Sequence, residues 1–215
     1  MSNDTPVAAP SAATQRKIRW ILGLGVLLAA GIGIFYYFDQ YYPWWHWRTV
    51  EEAKFYRSSQ LGENELADAI QRYKLKTIFN LRDVNEREHG NWYETELRVA
   101  KENGARVVDI PLKAGTPPSP EQIALMLEVM DDPKNLPVMA HCYHGSIRSA
   151  AAEGLFRREY LGENGEQSYD RVESWGRDLE EDYPLIADFI KNYVPRRDRK
   201  PAPKAADPKG DEQDK

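Results

Sequence analysis

The apolar stretch Leu136-Pro137-Val138-Met139-Ala140 runs straight into His141-Cys142-Tyr143-His144-Gly145-Ser146-Ile147-Arg148-Ser149 and then into Ala150-Ala151-Ala152. β-Favouring residues, a glycine-containing polar loop and a run of helix formers predict a buried strand, a tight loop and a helix. A strand of this kind needs neighbours on both sides and helices over both faces. The preceding sequence supplies them. Lys54-Phe55-Tyr56-Arg57-Ser58 reads as a short strand, and Leu66, Ala69, Ile70 and Tyr73 recur at helical spacing before the β-rich run Lys76–Leu81. Trp92, Leu97 and Ala100 mark a second helix that stops near Asn103-Gly104, and Arg106–Ile110 follows as a strand ended by Pro111. Ser119, Pro120 and Gln122 stand at the offsets of an N-cap, a first-turn proline and a capping box. A helix is therefore expected from Pro120 to Asp131 or Asp132, with Ile123, Leu127 and Met130 on one face. The alternation predicts an α/β domain over residues 54–195, with a mainly parallel central sheet flanked by helices. Folds of this class bind ligands at the carboxyl ends of strands, where Cys142 falls.

The 215 residues hold one such domain and a segment at each end. Residues 1–15, rich in Ala, Pro, Ser and Thr, are expected to be disordered. Arg16, Lys17 and Arg19 then precede the uncharged run Trp20–Phe38, whose 19 residues make about 28 Å of helix, close to a hydrocarbon core. Residues 16–38 are read as a basic flank and transmembrane anchor, and 39–53, with Tyr41, Tyr42, Trp44, Trp45 and Trp47, as an aromatic juxtamembrane segment. A signal peptide cleaved near Ala29 and Ala30, or a buried helix of a soluble domain, would pass the same test. Basic residues before the span and Asp39, Glu51 and Glu52 after it place the N-terminus in the cytoplasm and the domain beyond the membrane, periplasmic in a bacterium. The charged stretch 196–215 is expected to be a disordered tail.

A net charge of -5 gives no reason to expect nucleic acid as a partner. The single cysteine excludes an intramolecular disulfide and any multi-cysteine metal cluster. His46, His89, His141 and His144 lack the spacing of a helical zinc site, so no metal or other cofactor is expected.

The order of residues after the last predicted strand suits an oxyanion. A short loop at a helix start points backbone N–H groups inward, and the helix dipole favours negative charge there. The same groups that hold a phosphate stabilise a Cys142 thiolate, the form able to attack phosphorus. Arg148 offers a planar guanidinium to two oxygens, Gly145 permits the tight turn, and Ser149 has a hydroxyl for the sulfur. His141 is expected behind the loop as structural support, while Tyr143, His144, Gly145, Ser146 and Ile147 line it with Arg148.

This segment resembles the His-Cys-x-x-Gly-x-x-Arg-Ser/Thr signature of the cysteine-based protein tyrosine and dual-specificity phosphatases, in their compact atypical bacterial branch. The similarity extends over about Phe55 to Trp175, including Phe55-Tyr56-Arg57-Ser58-Ser59-Gln60 and Thr77-Ile78-Phe79-Asn80-Leu81-Arg82. It implies that Cys142 forms a phosphocysteine, that Arg148 binds the phosphoryl group and that Ser149 assists hydrolysis. The family also places a general-acid aspartate about thirty residues before the cysteine. Here that loop, Pro111–Pro118, carries no carboxylate. Asp109 is the candidate acid by register, with Glu121 second and no acid at all a third reading. Expected substrates are a phosphorylated protein or a small phosphomonoester, with phosphotyrosine or another aryl phosphate first. An inositol phosphate or phospholipid headgroup, or capture of a phosphorylated partner without turnover, remain as alternatives.

Overall fold

A computed structural model describes residues 11–41, 46–172 and 174–199. The chain divides into two units, residues 1–45 and 46–215. Expectations for residues 1–10, for Tyr42, Trp44 and Trp45, and for the tail beyond residue 199 fall outside the described residues.

Among its described residues the first unit contains one helix, α1 (Ala12–Tyr41). It starts before the basic flank, within the stretch expected to be disordered, because Ala12 and Ala13 are strong helix formers and Ser11 Oγ accepts from the Thr14 amide at 3.3 Å. Over Ala12–Tyr37 it is long and apolar enough to cross a membrane.

The second unit is built on a five-stranded sheet in the order β1-β2-β5-β3-β4, comprising β1 (Arg48–Glu51), β2 (Phe55–Ser58), β3 (Thr77–Asn80), β4 (Arg106–Asp109) and β5 (Val138–His141). Strands β2, β5, β3 and β4 pair in parallel, whereas β1 runs antiparallel to β2, so the sheet is mixed. All four residues of β2, β3 and β5 are buried, as strands covered on both faces require. Strand β1 lies inside the stretch assigned to the juxtamembrane segment. Four residues, Arg-Thr-Val-Glu, with one apolar side chain leave no alternation to read.

Helices α2 (Glu63–Tyr73), α3 (Trp92–Glu102), α4 (Pro120–Asp131) and α5 (Arg148–Tyr160) alternate with the strands. The start of α4 has the expected chemistry: Ser119 Oγ accepts from the Gln122 amide at 3.3 Å, and Gln122 Oε1 accepts from the Ser119 amide at 2.8 Å. Three further helices, α6 (Gly165–Arg171), α7 (Leu179–Asp182) and α8 (Pro184–Asn192), complete the domain. Phe55, Phe79, Leu81, Met126, Val138 and Phe156 join the sheet to α4 and α5 in the main core. A second cluster packs Ala150 and Ala151 of α5 against Leu179, Ile186 and Ile190. The small residues on α5 permit this approach: a Cβ at Gly154 would stand 2.7 Å from Ile190 Cγ1. Arg196, assigned to the charged tail, is docked instead, with Nη1 2.6 Å from Asp131 Oδ2 and Nε 3.0 Å from Glu159 Oε2. Its partners lie 65 and 37 residues away, a separation that local composition does not reveal.

Candidate active site

Strand β5 ends at His141 and α5 begins at Arg148, so residues 142–147 form the loop between them. The neighbouring strands hold its base. The Leu81 amide donates to His141 O at 2.9 Å and the Gln60 amide to Tyr143 O at 3.1 Å. Gly145 has φ +72°, and a Cβ there would lie 2.6 Å from Ser59 N and 2.7 Å from the Ser58 carbonyl carbon. A left-handed backbone and a close approach to the end of β2 both demand glycine at that position.

The structure places Cys142, Arg148 and Ser149 together at the end of β5 and the start of α5. Cys142 is 3% exposed, Arg148 8% and Ser149 0%. Cys142 Sγ lies 3.7 Å from Ser149 Oγ. The Arg148 guanidinium pairs with the Glu86 carboxylate and feels the charge of the Cys142 sulfur. Burial alone would lower its pKa, but Glu86 and Cys142 together raise it. Ser146 and Ile147 are buried in the loop, whereas Tyr143 and His144 stand at its exposed rim. His144 O is hydrogen-bonded by His46 Nδ1, and the His46 ring stacks on Trp175 at 4.8 Å. Burial, followed by the charges of Arg177, His46 and Arg148, lowers the His144 pKa, which favours the neutral imidazole at the rim.

His141 ends β5 and is buried. Its Nε2 lies 2.9 Å from Glu96 Oε2 on α3, and both side chains are almost fully buried. Glu96 Oε2 also accepts from Gln60 Nε2 at 2.9 Å, and Gln60 Oε1 accepts from Arg82 Nη1 at 3.2 Å. Arg82 Nε in turn donates to Glu86 Oε2 at 3.0 Å. A continuous hydrogen-bonded chain thus runs from Glu96, beside His141, round to Arg148. Burial would raise the Glu86 carboxyl, but Arg148, the Asp83 amide and Arg82 hold it below the usual range.

Beside this chain lies a cavity of about 570 Å³ lined by Gln60, Arg82, Glu86, His89, Trp92 and Tyr143. The Arg82 guanidinium lies 3.6 Å from the Trp92 ring centroid and 4.9 Å from that of Tyr143. Three of its six lining side chains are aromatic rings, and Glu86 connects it directly to Arg148.

The two acid candidates have other company. Asp109 ends β4 and pairs in register with Asn80, which pairs with His141, so β3 separates it from β5. Its Oδ1 accepts from Asn80 Nδ2 at 2.8 Å and pairs with Arg87 Nη2 at 2.9 Å, while Oδ2 accepts from Tyr93 Oη at 2.5 Å. Burial, then the bond to Asp109, pushes the Tyr93 hydroxyl up to about 12, so it stays a donor. Glu121 Oε2 accepts from Ser119 Oγ at 2.7 Å, and that bond with its own amide lowers its carboxyl.

Sequence reasoning missed Arg57 and Glu86. Arg57 Nε and Nη2 donate to Gly145 O at 3.1 and 2.8 Å, Nη2 to Ser146 O at 3.1 Å, and Nε to Ser149 Oγ at 3.1 Å. An arginine in a strand otherwise fit for burial, within a run that resembles the family, was its available signal. Glu86, in the short 3-10 turn Val84–Glu88, has no comparable mark.

Residues 45–177 match the family described as DSP-PTPase phosphatase fused to NAD+ Kinase. "Probable NAD kinase 2, chloroplastic" of Oryza sativa subsp. japonica is 30% identical over 101 residues, 46% of this chain. The chain spans about 10% of that relative's length. The core catalytic domain of the PP-IP phosphatase SIW14 from S. cerevisiae, in complex with citrate, is similar at TM-score 0.56 and 20% identity, over 69% of this chain and 85% of that one. TpbA of P. aeruginosa in complex with pTyr is similar at TM-score 0.51 and 17% identity, over 68% of this chain and 88% of the other. At these identities the two structures are evidence of a shared fold.

Proposed function

We propose, for a chain that belongs to the DSP-PTPase phosphatase family, the hydrolysis of phosphate monoesters with aromatic leaving groups through a cysteinyl-phosphate intermediate. The observation that carries the reaction is the grouping of Cys142, Arg148 and Ser149 at the end of β5 and the start of α5. Cys142 attacks phosphorus as the thiolate, an S–P bond forms, and the ester P–O bond breaks with its electron pair on the leaving oxygen. Arg148 neutralises the equatorial oxygens as the phosphoryl group flattens. Water then forms a P–O bond and gives a proton to solvent, and the S–P pair returns to sulfur with Ser149 donating to it.

The aryl preference rests on two features. Aromatic side chains line the cavity connected to Arg148 through Glu86. Asp109 is engaged by a cation and two neutral donors on its carboxylate, away from the Cys142 loop. An ester whose leaving oxygen is already stabilised needs the least protonation. We read Asp109 as a fixed acceptor for Arg87 and Tyr93.

Helix α1 is read as a membrane anchor with its basic flank in the cytoplasm, a cleaved signal segment being the alternative. Protease added to intact cells after outer-membrane permeabilisation should digest the domain; protection until the inner membrane is broken contradicts this topology.

Substrate class is tested by comparing kcat/KM for phosphotyrosine, an alkyl phosphate, an inositol pyrophosphate and a phosphoinositide under one set of conditions. Phosphotyrosine should lead. A clear preference for either inositol substrate contradicts the aryl assignment, and tight binding of every substrate without phosphate release would make the domain a capture module.

A further inference from the structure

We propose that Arg57 is the positioning residue of the anion-binding loop, turning the Ser146 and Ile147 amides toward the bound phosphoryl group and directing the Ser149 hydroxyl proton to the Cys142 sulfur. This rests on the cysteinyl-phosphate reading but concerns a residue beneath the loop that its steps do not use.

The orientation follows from peptide geometry. In a planar trans peptide, the carbonyl of one residue and the N–H of the next point in opposite directions. Arg57 takes Gly145 O through Nε and Nη2, at 3.1 and 2.8 Å, and Ser146 O through Nη2, at 3.1 Å. Both carbonyls are thereby drawn to the buried side, which leaves the amides of Ser146 and Ile147 facing away from Arg57. A guanidinium suits this task because its rigid fork serves adjacent acceptors at once, whereas a lysine offers a single charged point.

The hydroxyl follows from donor counting. Ser149 Oγ has one proton and accepts from Arg57 Nε at 3.1 Å. Arg57 has no lone pair to receive that proton. In the thiol state Cys142 Sγ donates to Ser149 Oγ at 3.7 Å; once the sulfur is a thiolate, or leaves phosphorus as one, the bond reverses and Ser149 becomes the donor. Arg57 thus holds the oxygen in place through one lone pair and leaves its proton free to turn to the sulfur.

Arg57 is itself held. It is 0% exposed, and its Nη1 lies 2.5 Å from Glu153 Oε2, on an equally buried side chain of α5. Glu153 Oε1 also pairs with Arg48 Nε at 3.2 Å and Arg157 Nε at 2.8 Å. Removing Arg57 therefore leaves Glu153 with cationic partners, so a substitution here tests the loop without stranding a buried carboxylate.

The full chain, in detergent, is compared as wild type, R57M, R57K, S149A and R57M/S149A by inhibition with orthovanadate and by rapid-quench decay of the phosphoenzyme. R57M should weaken orthovanadate at least 10-fold and slow phosphoenzyme decay at least 10-fold. R57K should recover part of the orthovanadate affinity but little of the decay rate. The double variant should decay no more slowly than the slower single variant, because both act on one hydroxyl; a purely structural role would not produce that pattern. Where R57M is too unstable to purify, R57K decides, and values within 2-fold of wild type in both assays overturn the proposal. Fully multiplicative effects on decay also overturn it. A wild type that forms no phosphoenzyme refutes the reaction proposed above and leaves orthovanadate affinity as the separate test of Arg57.

Discussion

Replacing Gly145 with alanine should damage stability and catalysis together, by an amount that the local geometry sets. The residue sits at φ +72°, where a Cβ costs about 1–2 kcal/mol. The added carbon would also stand 2.6–2.8 Å from Ser59 N and from the Ser58 carbonyl carbon and oxygen, backbone atoms that cannot rotate aside. Relieving such an overlap costs roughly another 1–3 kcal/mol, because the loop or the end of β2 must move. Together these give about 2–5 kcal/mol, which in a protein of this size lowers Tm by on the order of 10 °C. Movement of the loop by about 1 Å should also cost about 100-fold in kcat/KM. Gly104 supplies the control. Its φ is +77° and nothing stands within 4 Å of its notional Cβ, so G104A should carry only the backbone strain, about 1 kcal/mol, and leave turnover unchanged. Thermal denaturation and steady-state hydrolysis of an aryl phosphate measure both variants. If G145A behaves like G104A in both assays, the close approach of β2 to the loop does not exist in solution.

Glu86 is ionised against Arg148, so its contribution to stability should be present above its unfolded pKa and lost as pH falls through its depressed folded value. E86Q should therefore flatten the acid limb of a stability profile below about pH 4.5 and lower kcat about 10-fold at neutral pH; an unchanged acid limb refutes the pairing. D109N should reduce hydrolysis of alkyl and aryl phosphates by the same factor, since Asp109 is read as an acceptor; a loss confined to the alkyl ester would restore it as the acid. W92A should weaken phosphotyrosine by about 2- to 10-fold in kcat/KM, the worth of one aromatic contact, and leave an alkyl phosphate unaffected. Equal effects on both would remove the cavity from substrate recognition.

The parts of this fold that were legible in the sequence are those specified locally. Ser119, Pro120 and Gln122 announce the start of α4 because capping joins residues three apart. The buried run into Cys142 announces β5 and its loop for a similar reason, since strand, turn glycine and helix start are contiguous. What escaped depends on pairing across the chain. Strand β1 is four mostly polar residues stabilised by its register with β2. Glu86 matters only because the fold brings it to Arg148, 62 residues away. Arg57 lay within a run already noted for its resemblance to the family, yet its partners at Gly145, Ser149 and Glu153 are 88 to 96 residues distant. Register in sequence also shows nothing of the company that Asp109 keeps. Its separation from Cys142 suits an acid, but β3 stands between its strand and β5, and its carboxylate is already engaged.

The most direct test of the central claim is a rapid-quench experiment on wild type and C142S with a phenolic phosphate ester labelled at phosphorus. A serine hydroxyl does not ionise at neutral pH without a strong base, so C142S should bind orthophosphate yet form no phosphoenzyme and show no turnover. Wild type should release a burst of phenol equal to the enzyme present and carry the label on Cys142. Sustained hydrolysis by folded C142S, or a wild type that turns over with label on another residue, would contradict the account.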